Sequence, residues 1–193
     1  GALRRVKVPK ADGRWVGLVQ LYSSETGELL AIFPDGVAQR FRVGATNGLG
    51  VKYLARQDAR RAALIGSGWQ AGTQLLALLE ARPIEEIKVF SLTKENREAF
   101  VTEMRRITGG LVIRAVASPE ACVEDADIIM SATSSVVPVI KQAWLREGMH
   151  VNAIGAHYRE IRELDEQALR GRKIVVDTLF CLEESGEFVI PGL

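Results

Sequence analysis

Residues 62–72, Ala-Ala-Leu-Ile-Gly-Ser-Gly-Trp-Gln-Ala-Gly, constrain what this 193-residue chain can fold into more than any other segment. Four apolar residues run into a glycine turn and then into the start of an apolar helix. Gly66, Gly68 and Ala71 fit the spacing G-x-G-x-x-G/A, and each position has a physical job. The first glycine lets the chain turn sharply off a strand. The second has no Cβ, so a pyrophosphate can approach the backbone. The small third residue lets the helix pack closely on the strand. The backbone N–H groups of Trp69 and Gln70 then face a phosphate at the positive end of the helix. Glycines are common in turns, so the surroundings must decide what this spacing means.

Those surroundings alternate. Strands are expected at 62–65, 87–91, 111–117, 127–132, 149–154 and 173–177. Helices are expected at 69–80, 94–107, 119–124 and 138–145, with a helical turn at 165–169. Strands alternating with helices imply parallel β-α-β units. The expected fold is therefore α/β, with a Rossmann-type doubly wound parallel sheet over residues 58–180. Ahead of it, apolar runs at 15–22 and 29–33 flank a polar Gly-containing turn and read as a β-hairpin. Residues 37–56 read as a helix weakened by Gly44, Gly48 and Gly50, which suggests close backbone contact with a strand or a ligand. Residues 1–57 are thus expected to be part of a second, mainly β domain, with the boundary in the polar break at 57–61. Residues 181–193 are expected to return towards that domain.

With 25 basic and 24 acidic residues the formal net charge is +1. This gives no nucleic-acid footprint and no polybasic membrane patch. No apolar run approaches the roughly 18 residues of a membrane span. Cys122 and Cys181 are isolated and read as buried small apolar residues. His150 and His157 lack metal co-ligands. The expectation is a soluble cytoplasmic protein.

An acidic residue near the end of the second strand would hold the ribose hydroxyls of NAD. Here that strand ends Ser91-Leu92-Thr93-Lys94, with no acid before Glu95. Ser91 and Thr93 can hydrogen-bond a phosphate, and Lys94 or Arg97 can supply charge, which favours NADP(H) over NAD(H). The competing reading makes Lys94 and Arg97 the solvated face of a helix. Thr133 and Ser134 follow the fourth strand at its carboxyl end, where ligands sit in open α/β sheets. They read either as cofactor contacts beside Ala132 or as helix N-caps.

Several motifs together resemble the ornithine cyclodeaminase/μ-crystallin family. They are Gly27-Glu28-Leu29-Leu30-Ala31; Arg42 with the helix running to Lys52-Tyr53-Leu54-Ala55-Arg56; Gly66 to Ala71; and Asp125-Ala126-Asp127-Ile128-Ile129 with Ala132-Thr133-Ser134. Residues 144–156 (WLREGMHVNAIGA) and Arg162-Glu163-Leu164-Asp165 complete the set. The resemblance covers nearly the whole chain. It implies a two-domain, NAD(P)-dependent protein with a Rossmann domain and a substrate and dimerisation domain, forming a homodimer where that domain is complete. The chain looks shorter than such proteins at both ends.

The resemblance makes Arg42 the ligand of the substrate carboxylate, a task that suits a guanidinium, with Lys7 as a second. Val43 stands where a threonine is usual. Gly155 and Ala156 are implied to pass the nicotinamide. His157 occupies the position of the cyclodeaminase aspartate and becomes the candidate proton-transfer residue. Glu163 and Asp165 are expected to cap and brace the following helix. The expected activity is NAD(P)-dependent chemistry at the C–N bond of an amino or imino acid, such as imine reduction, amino-acid dehydrogenation or cyclodeamination. The alternatives are a non-catalytic NADPH binder and a Rossmann module of a larger complex.

Overall fold

The computed structural model describes residues 2–9, 15–156 and 158–192, with side chains from residue 17 on. Strands β1 (Ala2–Pro9), β2 (Trp15–Tyr22) and β3 (Leu29–Pro34) form an antiparallel sheet in that order. The expected hairpin is present. In its turn Ser23 Oγ accepts from the N–H groups of Glu25 and Thr26, and Gly27 takes a positive φ of 75°. Leu30, Ile32 and Phe33 of β3 are all exposed, so this strand is largely uncovered.

Helix α1 (Asp35–Leu54) follows directly and lies against α2 (Ala71–Ala81). Two of its glycines make this approach possible. A Cβ at Gly44 would sit 2.7 Å from the carbonyl oxygen of Thr73, and one at Gly48 would sit 3.1 Å from Ala77. The close backbone contact expected of these glycines is made, but with another helix and not with a strand or a ligand. Phe41, Leu49 and Tyr53, on other faces of α1, remain exposed.

The second sheet is wholly parallel. Strands β4 (Arg61–Ile65), β5 (Glu86–Phe90), β6 (Val112–Ala115), β7 (Ile128–Ser131) and β8 (His150–Ala153) lie in the order β6-β5-β4-β7-β8. With α3 (Lys94–Thr108) and α4 (Pro119–Val123) this is a Rossmann-type arrangement. The strand order reverses between β4 and β7, which opens a crevice at their carboxyl ends. Successive residues of β4 face opposite sides of the sheet. Leu64 joins Leu75, Leu78, Ile87, Ile113 and Met130 on one side. Ala63 and Ile65 join Cys122, Val123, Ile129 and Ile140 on the other. Cys122 is fully buried, and desolvation pushes its thiol up to about 12. Among the described residues no helix is long and apolar enough to cross a membrane.

One expected element is absent among the described residues and another is shortened. Residues 173–177 form no strand; Ile174 and Val175 stay exposed, and β8 ends the sheet. Their β-branched side chains favour extended backbone, but they pair with no strand of the sheet. The helix expected at 138–145 shrinks to a 3₁₀ turn at Gln142–Trp144. Ahead of that turn, Val139 and Ile140 donate their N–H groups to the carbonyl of Glu163, and Asp165 N–H returns to Ile140. A β-branched run took a bridge over a helix. Beyond β8 the chain makes a 3₁₀ turn at Glu166–Ala168, then α5 (Cys181–Glu184) and α6 (Gly186–Val189).

Arg82 locks the joint between α1 and the parallel sheet. Its buried guanidinium donates to the carbonyls of Lys52 (3.0 Å), Ala55 (2.7 Å), Arg56 (2.9 Å) and Ala81 (2.7 Å). Three of these acceptors lie at the C-terminal end of α1 or just beyond it, where carbonyls lack helical partners and a cation is favoured. Next to them Asp127 accepts from the N–H groups of Arg60 and Arg61 and from Arg56. Burial works against its charge, but these donors hold its carboxyl below the usual range. Arg82→Ala is expected to lower stability by roughly 2–4 kcal/mol in urea unfolding, because it orphans several buried carbonyls at once. Arg82→Lys should recover only part of that, since one ammonium cannot reach four acceptors spread over a fork.

Candidate functional site

The crevice begins at Gly66. This residue has φ +110° and lies so close to the carbonyl of Ala132 that a Cβ would overlap it, while its N–H donates to Phe90 O at 2.7 Å. One residue without a side chain therefore gathers the ends of β4, β5 and β7. At Gly68 the opposite holds. Nothing lies within 4 Å of where its Cβ would be, so the backbone is open to an approaching group. Helix α2 starts at the fully buried Ala71, with Gln70 at its N-cap. It has no side-chain cap hydrogen bond and no acidic residue in its first turn. The positive end of this helix is left for another anion to satisfy.

The Trp69 ring lies against α1. The Arg40 guanidinium stacks over it at 4.2 Å, and Gly36 stands at its edge. Arg40 Nε and Gln70 Oε1 are buried with no hydrogen-bond partner among the described residues. A cation beside a helix N-terminus is unfavourable unless an anion sits between them. These features fit a pyrophosphate-bearing cofactor.

At the end of β5, Ser67 Oγ donates to Ser91 Oγ at 2.8 Å, and Arg97 donates to the Ser91 carbonyl at 3.0 Å. The Arg97 guanidinium also lies over the Phe90 ring. Lys94 sits 3.9 Å from Glu98 in an exposed pair, which holds it only weakly. Thr93 is the N-cap of α3 and is exposed. A cleft of about 240 Å³ lined by Ser67, Asn96, Ala99, Phe100 and Glu103 lies alongside.

The third part of the crevice is formed by the ends of β7 and β8, and Glu163 joins them. Its fully buried carboxylate accepts five hydrogen bonds. One oxygen takes Thr133 N–H (2.8 Å) and Thr133 Oγ1–H (2.7 Å). The other takes Ser131 Oγ–H (2.8 Å), Ile154 N–H (3.1 Å) and Gly155 N–H (2.6 Å). Gly155 has to be glycine here, because a Cβ would lie 2.6 Å from the Glu163 carboxyl carbon. Asp165 does cap, as expected, accepting from Ala168 N–H and from Gln142 N–H. Glu163 does not; it ties strand ends together. Glu187 of α6 supports it from behind by accepting the N–H groups of Glu163 and Leu164.

The structure thus brings Gly66, Gly68, Trp69, Gln70, Ala71, Ser91, Arg97, Ala132, Thr133 and Gly155 to one end of the parallel sheet. Ser134 follows, exposed, and no helix starts there for either hydroxyl to cap. Arg42 is exposed on α1, two residues before the buried Gly44, and its carbonyl accepts from Thr46 Oγ1 at 3.0 Å. Lys7 lies on β1 opposite Gly17, and only its strand position is described. His157 lies outside the described residues. Glu163 is the site residue that sequence reasoning assigned to another task.

The ornithine cyclodeaminase/mu-crystallin family model matches residues 10–191. Delta(1)-pyrroline-2-carboxylate reductase of Bacillus cereus is 32% identical over 177 residues, covering 91% of this chain and 54% of that protein. Among solved structures, the Thermococcus litoralis Delta(1)-pyrroline-2-carboxylate reductase in complex with NADH and L-proline has a TM-score of 0.88 at 38% identity. That match covers 95% of this chain and 56% of the other. An archaeal alanine dehydrogenase dimer with bound NAD has a TM-score of 0.83 at 35% identity, covering 91% and 54%. The chain spans about half the length of the curated relatives it matches.

The support behind the strand ends depends on pH. Burial, together with the nearby Glu163, raises the carboxyl of Glu187 to about 7, against the lowering effect of the two N–H donors. An acid whose folded pKa exceeds its unfolded value contributes no penalty below the unfolded value, and destabilises increasingly as pH rises through the folded one. The stability of the wild type should therefore fall between about pH 4.5 and 7 relative to Glu187→Gln, whose amide oxygen can still accept both N–H groups. Thermal unfolding at about pH 4 and about pH 8 checks this; the variant should gain up to about 3 kcal/mol relative to wild type between the two.

Proposed function

The chain belongs to the ornithine cyclodeaminase/mu-crystallin family, and on that premise we propose that it serves an NAD(P)-dependent oxidoreductase acting at the C–N bond of a small amino or imino acid. The observation that carries this reading is the crevice itself: Gly66 against the Ala132 carbonyl, the open backbone at Gly68 and the uncapped start of α2. The pyrroline-2-carboxylate reductases and alanine dehydrogenase among its relatives support the choice of substrate class.

In this reading residues 1–57 belong to the substrate and dimerisation domain, 58–180 hold the dinucleotide, and 181–193 return towards the former. The N–H groups at Gly68, Trp69, Gln70 and Ala71 bind pyrophosphate. Ser91, Thr93 and Arg97 hold the adenosine ribose. NADP(H) is favoured over NAD(H), because no carboxylate stands at 91–94 and a guanidinium stands close by. Ala132, Thr133, Ser134 and Gly155 flank the nicotinamide. A bound reduced cofactor supplies hydride to the imine carbon. Arg42 grips the substrate carboxylate with two parallel N–H bonds, and Lys7 adds a second charge. His157 manages the proton on nitrogen. The exposed apolar residues of β3 and α1, such as Ile32, Phe33, Phe41 and Tyr53, suit an assembly in which two copies pair. A non-catalytic NADPH binder is the second reading. It is favoured by Val43, where the family resemblance implies a threonine, and by histidine at 157.

Reduced-cofactor oxidation with cyclic imino acids, and with α-keto acids plus amines, tests this. Turnover is expected, with NADPH bound more tightly than NADH. Arg42→Ala should raise KM about 100-fold and leave cofactor affinity unchanged. Tight NADPH binding without turnover across the panel would favour the binder, and tighter binding of NADH would overturn the cofactor preference.

A further inference from the structure

We propose that Glu163 is a positioning residue for the nicotinamide end of the crevice: its carboxylate sets how the carboxyl ends of β7 and β8 are spaced and aimed. This rests on the reading that a nicotinamide lies between those ends.

A buried carboxylate is expensive unless hydrogen bonds replace its lost water. Holding two strand ends together does not require one, because apolar packing does that at less cost. Here the carboxylate is answered in full by five neutral donors, from Ser131 and Thr133 at β7 and from Ile154 and Gly155 just beyond β8. Three of these donors are backbone N–H groups, which cannot rotate away. The residue is itself held at its backbone. Its N–H donates to Glu187, and its carbonyl accepts from Val139 and Ile140 at 2.7 and 2.9 Å. Its carboxylate is therefore a fixed reference point. Through it, Thr133 and Gly155 keep a set relation to each other.

The donor pattern makes the residue type specific. Both oxygens must accept, because each faces at least one backbone N–H. A glutamine offers one accepting oxygen and one NH₂. In either orientation its NH₂ meets Thr133 N–H or the pair Ile154 and Gly155 N–H, so the strand ends must move apart. The change is isosteric and keeps the core packed. Asp165→Asn is the matched control on the same segment, since Asp165 also accepts two backbone N–H groups but faces the 3₁₀ turns instead of the crevice.

Wild type, Glu163→Gln and Asp165→Asn are each titrated with NADPH and with NADH, following the affinity and the emission of the bound reduced nicotinamide. Anchoring at Gly66–Ala71 should leave the affinity of Glu163→Gln within about threefold of wild type. The shift of nicotinamide emission on binding should be lost in Glu163→Gln and kept in Asp165→Asn. With a turned-over substrate, kcat should fall about 100-fold at nearly constant KM, the mark of a misplaced reacting group. If Glu163→Gln does not fold, Ser131→Ala removes one donor to the same oxygen and should give a partial loss of the shift. Wild-type emission in Glu163→Gln, or in Ser131→Ala where that variant stands in, overturns the proposal, as does an equal loss in Asp165→Asn. Failure of the wild type to bind either cofactor overturns the functional reading itself, and the proposal with it.

Discussion

The end of β7 is held from both flanks, and the shape of the crevice depends on that grip. On one side the Ala132 carbonyl packs against Gly66, where no side chain other than hydrogen fits. On the other side Ser131 and Thr133 give their donors to Glu163. The first contact places β7 against the glycine loop after β4. The second places it against the turn after β8. Between them they fix three successive strand ends of the sheet, and the opening lies where the strand order reverses. In open α/β sheets that is where ligands bind.

Helix α1 is fixed to the same framework. Gly44 and Gly48 bring α1 against α2, and Arg82 seizes the carbonyls at its far end. Arg40, on the preceding part of α1, stacks on Trp69 of the glycine loop. Arg42 lies between these anchor points, so its place relative to the loop is set by backbone packing and not by a flexible linker. The same region concentrates positive charge: Arg40 stands beside the start of α2, whose first turn holds no acidic residue. An anionic ligand resolves that arrangement. This electrostatic setting, more than any one side chain, suits the pyrophosphate of a dinucleotide.

Much of this was readable in the chain. Local features told most plainly. The apolar run ending at Ile65, the spacing of Gly66, Gly68 and Ala71, and the alternation through β8 each depend on neighbours in sequence, and the parallel sheet followed from them. Pairing was harder to read. Residues 173–177 have the composition of a strand but pair with none, and 139–140 bridge to 163–165 where local pattern suggested a helix. Glu163 and Arg82 were the least visible. Their partners come from segments up to 32 and 30 residues away, and nothing in the periodicity around either marks it as a hub. Arg42 and Lys7 acquired roles only through resemblance to a family.

Hydrogen–deuterium exchange with and without a saturating reduced cofactor tests the central claim most directly, that the glycine loop and the Glu163-tied strand ends form one binding crevice. The account predicts that amides at 67–72, 132–135 and 154–155 gain protection together, with β1–β3 unchanged. Binding that leaves 67–72 unprotected, or that protects the loop while the strand ends at 132–135 and 154–155 exchange as before, would contradict it.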